Sequence, residues 1–254
     1  MTGEWQTATL AEKIPPQATR FGSRTIGKIL AAKANSLEVV SDFTLERQWL
    51  TIRVKGEDSE AFLNLLREDF GEAPVSRRNL EKWDSAKGFV SGAGRIGYGV
   101  YLDIGIQDPS PKDSLYPLHR MRAQLADGES LSAREILDRN ALVDYVPLKV
   151  TVTEFEGENI TVQMEDEARE RLVSWRKYPF DRVVVVGADR MLAENAVRSS
   201  GLQSDIVEVE SLSLFVQSLV CKIGTDAPGI IAKIGGRLRG MELKSYLTPT
   251  KLMI

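Results

Sequence analysis

The stretch 87–105, with the sequence KGFVSGAGRIGYGVYLDIG, constrains the fold more than any other part of the chain. Its glycines stand among residues that favour β-structure, and from Tyr98 onward two kinds of residue alternate strictly, which places them on opposite faces of a strand. One face is predicted to carry Tyr98, Val100, Leu102, Ile104 and Ile106, and the other Gly99, Tyr101, Asp103 and Gly105. An apolar face opposite a sparsely covered face is typical of a small barrel whose outside stays open to a ligand.

Gly92, Gly94 and Gly97 also match the spacing G-x-G-x-x-G of dinucleotide-binding loops. That motif requires a helix after the glycines, because the pyrophosphate binds at the helix N-terminus. The strand-like sequence YGVYLDIG follows here instead. We therefore predict that these glycines allow a barrel strand to bend and bulge, and that the chain holds no cofactor.

Three segments in this region resemble the S1 domain, a family of RNA-binding OB-fold barrels with the pattern G-x-V … F-G-A-F-V-x-[IL]-G … G-L-V-H-x-S. The segments are KGFV at 87–90, YGVYLDIG at 98–105 and LYPLH at 115–119. Tyr98 and Tyr101 fall on the two aromatic positions of the pattern. The sequence departs from it at Pro117, which stands where the family has its histidine, and at His119, which stands where it has serine. The resemblance covers roughly residues 84–166, and the whole chain resembles a group of uncharacterised archaeal proteins with an S1-like centre.

Charge and composition narrow the possible functions. The net charge is −3, so a nucleic-acid site would have to be a local basic patch. One cysteine and one histidine exclude a disulfide framework and a metal cage built from these residues within one chain. The first residues lack the basic and apolar regions of a signal peptide, and no apolar run approaches the length that crosses a bilayer. We expect a cytoplasmic protein without a metal site.

The segments on either side of the barrel are predicted to share one pattern. Residues 1–75 and residues 171–254 each show the element order β-α-β-β-α, which is typical of ferredoxin-like units. Aligning the Gly-Glu-Asp at 56–58 with the Gly-Thr-Asp at 224–226 superimposes the apolar positions of the following helices. The chain therefore reads as an α+β protein: an S1-like OB barrel at 84–166 between two copies of a diverged internal repeat, which could pack together as one platform.

The favoured function is binding of single-stranded or structured RNA by the barrel. Tyr101 on the open strand face offers a base a surface for stacking, and Tyr98 reaches that face only if the strand bulges near a glycine. Phosphate contacts are predicted for a set of basic residues: Lys87, Arg95, His119, Arg120 and Arg122, with Arg77 and Arg78 as further candidates. No catalytic constellation is evident, so we expect a non-enzymatic protein of translation, RNA processing or transcription.

Two other functions remain open at the sequence level. Exposed strand edges would suit a protein–protein adaptor that docks on the ribosome or RNA polymerase. The segment 226–234, DAPGIIAKI, is similar to the first loop and helix of ACT domains, which implies a small-ligand regulatory protein. The sequence does not choose among these alternatives, and it gives no oligomeric state.

Overall fold

The protein is a mixed α+β molecule, shown by a computed structural model that describes residues 4–248. A closed five-stranded barrel stands between two smaller sheets. The predicted α+β class and the central barrel are therefore confirmed. In this part of the chain, no helix has both the length and the apolar composition that crossing a membrane requires.

The N-terminal unit (residues 4–73) is a sheet with two helices on one face. Its elements are β1 (Gln6–Lys13), α1 (Thr19–Lys33), β2 (Val39–Glu46), β3 (Trp49–Gly56) and α2 (Ser59–Phe70), with a short 3-10 helix at Pro16–Ala18. The strand order is β1-β3-β2, and both pairings are antiparallel. Ile52 and Val54 of β3 are buried in a core with Phe62 and Leu66 of α2, so α1 and α2 cover that face.

The barrel unit (residues 77–177) closes through one parallel contact. Its strands are β4 (Ser85–Ser91), β5 (Gly99–Ile106), β6 (Lys112–Pro117), β7 (Pro147–Glu156) and β8 (Asn159–Met164), in the order β4-β5-β6-β8-β7. The pair β6–β8 is parallel, and β7 returns to β4, so every strand has two neighbours. The helices are α3 (Leu118–Leu125), α4 (Ala133–Arg139) and α5 (Asp166–Lys177), and a 3-10 helix at Arg77–Asn79 precedes β4.

The predicted alternation in β5 is confirmed from Val100 onward. Val100, Leu102 and Ile104 are buried in the barrel core, whereas Tyr101 and Asp103 lie outside with partial exposure. Helix α4, which lies between the third and fourth barrel strands, begins with a complete capping box between Ser132 and Glu135. Helix α3 was not predicted, because Pro117 ends β6 and caps a helix whose apolar positions are few.

The C-terminal unit (residues 182–248) forms a four-stranded antiparallel sheet. Its elements are β9 (Arg182–Val186), α6 (Arg190–Ser199), β10 (Ile206–Ser213), β11 (Val216–Cys221), α7 (Ala227–Ile234) and β12 (Glu242–Tyr246), and the strand order is β10-β11-β9-β12. Val183 and Val185 face α6 and α7 in one core, and Val184 and Val186 join the core of the barrel unit. The strand is therefore buried on both faces, which is typical of a continuous run of valines.

The two flanking units share the order of their first three strands. In the N-terminal unit a short extended segment takes the place of the fourth strand. Residues 71–73 run along the free edge of β1, with Ala11 N donating to Gly71 O at 3.0 Å and Ala73 N donating to Thr9 O at 2.9 Å. This is the position that β12 occupies beside β9. The likeness is what an internal repeat requires, although common descent of the two units stays a prediction.

Strand β1 joins all three units at one seam. The Glu12 carboxylate, which is buried, pairs with Lys87 of β4 and accepts a hydrogen bond from Leu214 N at 3.2 Å. Phe215, next in the β10–β11 turn, inserts into the N-terminal core. On the barrel, Asp103 accepts hydrogen bonds from Lys13 Nζ at 2.5 Å and from Trp49 Nε1 at 3.1 Å. The flanking units thus contact each other, and both contact the barrel.

Candidate nucleic-acid interface

The two tyrosines of the S1-like pattern lie side by side on the outside of the barrel. Their hydroxyl oxygens are 3.0 Å apart. Tyr98 is 58% exposed and Tyr101 is half-buried, so ring surface is accessible to a ligand. The hydrogen bond with Tyr98 raises the pKa of the Tyr101 hydroxyl, so the Tyr101 side chain stays neutral at physiological pH. The pair forms an aromatic surface on the outside of the barrel.

The position predicted for Tyr98 on the apolar face is wrong, and the reason is local. Strand β5 begins only at Gly99, so alternation does not extend back to Tyr98. At Gly99 the strand approaches β6 so closely that a Cβ atom would lie 2.4 Å from the carbonyl oxygen of Tyr116. Tyr98 O accepts a hydrogen bond from Leu118 N at 2.8 Å, which fixes the backbone where its side chain points outward.

A groove of about 600 Å³ runs across β5, β6 and β8 and includes both tyrosines. We call it the tyrosine groove. The hairpin between β7 and β8 forms one end, and the turn between β2 and β3 approaches it from the N-terminal unit. Its lining residues are Arg47, Tyr98, Tyr101, Pro111, Lys112, Asp113, Leu115, Glu156, Asn159, Ile160 and Thr161.

Arg47 and Lys112 are the basic residues of the tyrosine groove, and sequence reasoning missed both. Arg47 lies at the tip of the β2–β3 hairpin, where it and Gln48 adopt positive φ angles of 51° and 73°. Tyr145 of the barrel unit donates a hydrogen bond to Gln48 Oε1 at 2.7 Å, which holds the hairpin tip against the barrel. Polar residues between two strand-like segments are typical of a turn, but nothing local in the sequence indicates where that turn docks.

Two carboxylates oppose these cations in the tyrosine groove. Asp113 and Glu156 line it, and Glu158 next to it lies 3.8 Å from Lys112. Burial, together with the nearby charge of Asp103, raises the pKa of Asp113 above its ordinary value. The groove is therefore not strongly basic. Protonation of Asp113 would remove a negative charge and so strengthen the binding of an anionic ligand.

None of the residues predicted to contact phosphates lines the tyrosine groove. Lys87 points toward the N-terminal unit and pairs with Glu12, while the Arg120 guanidinium bonds to Gln163. Arg122 donates from Nε to Leu131 O at 2.8 Å and so supports the loop between α3 and α4. Arg95, in the loop that carries Tyr98, and His119, in the first turn of α3, are both exposed. Lys87, Arg120 and Arg122 thus have structural contacts.

The remaining candidates lie on other surfaces. The Arg77 guanidinium stacks on Phe155 at 3.4 Å, and Arg78 is exposed. The expectation that the whole outer face of β5 stays open is wrong beyond Tyr101, because the N-terminal unit covers its second half. At Gly105, a Cβ atom would lie 2.8 Å from Ala73, so glycine permits that close packing. Within the described residues, no three His, Cys, Asp or Glu side chains cluster as a metal site would require.

Two family models match the chain. The DUF2110 central domain matches residues 80–176, which hold the barrel and α5, and the DUF2110 C-terminal domain matches residues 180–245, which hold the C-terminal sheet. A search of curated proteins found no match. Because the two matches together take in more than half of the sequence, the chain belongs to the DUF2110 family.

Proposed function

We propose that the tyrosine groove binds single-stranded RNA, or a single-stranded segment of a structured RNA, and that the protein acts on it without chemical change. The observation that carries this proposal is the pair of solvent-accessible tyrosine rings on a barrel face. Base stacking on an aromatic ring contributes roughly 1–3 kcal/mol per base and does not demand a particular sequence. Arg47 and Lys112 line the same groove and would contact the phosphates of the bound strand.

The topology supports an S1-like OB fold for the barrel. The strand order 1-2-3-5-4 counted within the barrel, its parallel pair and the helices between the third and fourth strands fit an OB-like arrangement. In OB-folds, ligands bind across the second and third strands and the loops after the first and fourth strands. The tyrosine groove occupies that region. By the same reasoning the flanking units are ferredoxin-like, since the C-terminal one has the strand order 4-1-3-2.

Substitution of both tyrosines tests the proposal. The double variant Tyr98→Ala/Tyr101→Ala should bind a single-stranded RNA at least tenfold more weakly in a fluorescence-anisotropy titration, because two stacking surfaces are lost. Tyr178→Ala is the matched control, because Tyr178 is an exposed tyrosine outside the groove. This variant should bind the RNA with the affinity of the wild type. Equal affinity of the double variant and the wild type would remove the groove as the RNA site.

Charge in the groove gives an independent test. Asp113→Asn removes a negative charge beside the proposed phosphate path, so RNA affinity at pH 7 should rise about threefold to tenfold. Because a bound polyanion favours the protonated carboxyl, wild-type affinity should increase as the pH falls toward the raised pKa of Asp113. The Asp113→Asn variant should show a weaker pH dependence. Unchanged affinity of Asp113→Asn at pH 7 would place the RNA away from this carboxylate.

Translation, RNA processing and transcription each use single-stranded RNA, and a ribosome or RNA polymerase could present it. Sequencing the RNA crosslinked to the protein in cells would identify the process. Recovery of ribosomal or polymerase subunits that survives nuclease treatment, with no crosslinked RNA, would favour a protein-docking role instead.

A further inference from the structure

A tryptophan stands at the far end of the N-terminal sheet with two cations against its ring. Trp5 lies directly before β1 and is 40% exposed. The guanidinium carbon of Arg53 and the ammonium nitrogen of Lys55, both on β3, are each 4.9 Å from the centre of the ring. We call these three residues the Trp5 patch. Nothing in the proposed function uses it.

The patch lies on the sheet face that the helices leave uncovered. Because side chains alternate along a strand, Arg53 and Lys55 point away from the core that Ile52 and Val54 fill with α1 and α2. The barrel covers only the Trp49 end of this face, where Trp49 packs on Phe89 with ring centres 5.4 Å apart. The opposite end remains open to solvent, and the Trp5 patch occupies it.

We propose that the Trp5 patch is a second contact for the RNA bound in the tyrosine groove, with Trp5 stacking on one base and Arg53 and Lys55 contacting adjacent phosphates. This inference rests on the proposed function. The cations contact the ring, and a ring that is still 40% exposed retains area for a base. An aromatic ring beside two positive charges matches a ligand that alternates flat bases with negative phosphates.

The same β-hairpin links the patch to the tyrosine groove. Arg47 at its tip lines the groove, and Arg53 follows six residues later on β3. At a rise of ~3.3 Å per residue this separation is roughly 20 Å along the strand. A stacked single strand advances ~3.4 Å per nucleotide, so about six nucleotides separate the two contacts. Glu46, opposite Trp49 on β2, lies between the two contacts, whereas Asp42 is directly opposite Arg53 and so borders the Trp5 patch.

A length series separates the two contacts. Wild-type protein should bind a 12-nucleotide RNA more tightly than a 4-nucleotide RNA of the same composition. Trp5→Ala should weaken binding of the longer RNA about tenfold and leave binding of the shorter one unchanged, whereas Trp5→Phe should retain most of the affinity. The matched control is Trp83→Ala, because Trp83 is also an exposed tryptophan with a cation, Lys82, over its ring. This control should bind both RNAs as the wild type does.

The outcomes distinguish this inference from the proposal that it rests on. If the tyrosine double variant loses affinity while Trp5→Ala binds the longer RNA like the wild type, the Trp5 patch is not an RNA contact and the proposed function stands. If the wild type binds neither RNA, the proposed function itself fails. Equal losses for Trp5→Ala and Trp83→Ala would show a general effect of removing tryptophan and would overturn the assignment. Thermal unfolding of each variant confirms that it is folded.

Discussion

The N-terminal and C-terminal units have the same strand order over their first three strands, but they bury different amounts of their sheets. In the C-terminal unit both faces of β9 are covered, with alternate valines packed on α6 and α7 and on the barrel unit. In the N-terminal unit one face is covered by helices, and the other is covered only near Trp49. The fourth strand is β12 in one unit and a three-residue remnant in the other.

This difference indicates that two units with the same strand order have different roles, one in stability and one in presenting an exposed surface. In the C-terminal unit the inner strands β9 and β11 are buried almost throughout, so their side chains contribute stability rather than a ligand surface. The N-terminal sheet leaves Arg53 exposed and Lys55 partly exposed, and its β2–β3 hairpin places Arg47 in the lining of the tyrosine groove. The comparison therefore predicts large stability effects at contacts made by the C-terminal unit, and small ones at the open N-terminal face.

The largest effect is expected at Phe215. Its ring is fully buried in the N-terminal core, 6.4 Å from the ring of Phe21, although it belongs to the β10–β11 turn. Phe215→Ala removes this contact and leaves a cavity, so the free energy of unfolding should fall by about 3–5 kcal/mol in urea titrations. Tyr178→Ala serves as the exposed aromatic control and should change stability by less than about 0.5 kcal/mol. A loss below ~1 kcal/mol at Phe215 would show that the two units do not depend on each other.

The next effect is expected at Asp103, where the N-terminal unit docks on the barrel. Its carboxylate accepts hydrogen bonds from Lys13 and Trp49, and Lys13 and Asp103 side chains are 13% and 15% exposed. Asp103→Ala leaves a nearly buried ammonium without its partner, so we expect a loss of about 2 kcal/mol after allowance for the remaining solvent. A double-mutant cycle with Lys13→Met measures the coupling. Additive losses would mean that the ion pair contributes nothing to docking.

Local patterns in the sequence predicted the elements, and contacts between distant residues determined the site. The run of valines in β9 and the alternation in β5 were sufficient to predict buried strands, because each depends on residues close in sequence. The partners Lys13 and Asp103 are 90 residues apart, and Arg47 reaches the groove only because its hairpin docks there. Basic residues that looked free in the sequence, such as Lys87, are neutralised by partners that no local pattern reveals.

A smaller effect, and one that depends on pH, is expected at the seam around Glu12. Burial raises the pKa of this carboxyl above its ordinary value of 4.5, against the opposing influence of Lys87. The folded state therefore binds the proton more tightly than the unfolded state. The resulting contribution of Glu12 to the free energy of unfolding is fully present below pH 4.5 and declines as the pH rises through the pKa of the folded state. The free energy of unfolding of the wild type, relative to Glu12→Gln, should fall as the pH rises from 4.5 through the raised pKa of the folded state. A rise would show that the Lys87 ion pair outweighs burial.

The smallest effect is expected on the open face of the N-terminal sheet. Trp5 and Arg53 contact each other and solvent, so Trp5→Ala and Arg53→Ala should each lower the free energy of unfolding by less than about 1 kcal/mol. Val54→Ala, the neighbouring position on the buried face of the same strand, should cost about 1–3 kcal/mol, because Val54 is fully buried. Losses of equal size on both faces, measured by urea unfolding, would mean that the exposed residues stabilise the sheet. The contrast with the C-terminal unit would then disappear, because residues on both faces of both sheets would contribute to the free energy of unfolding.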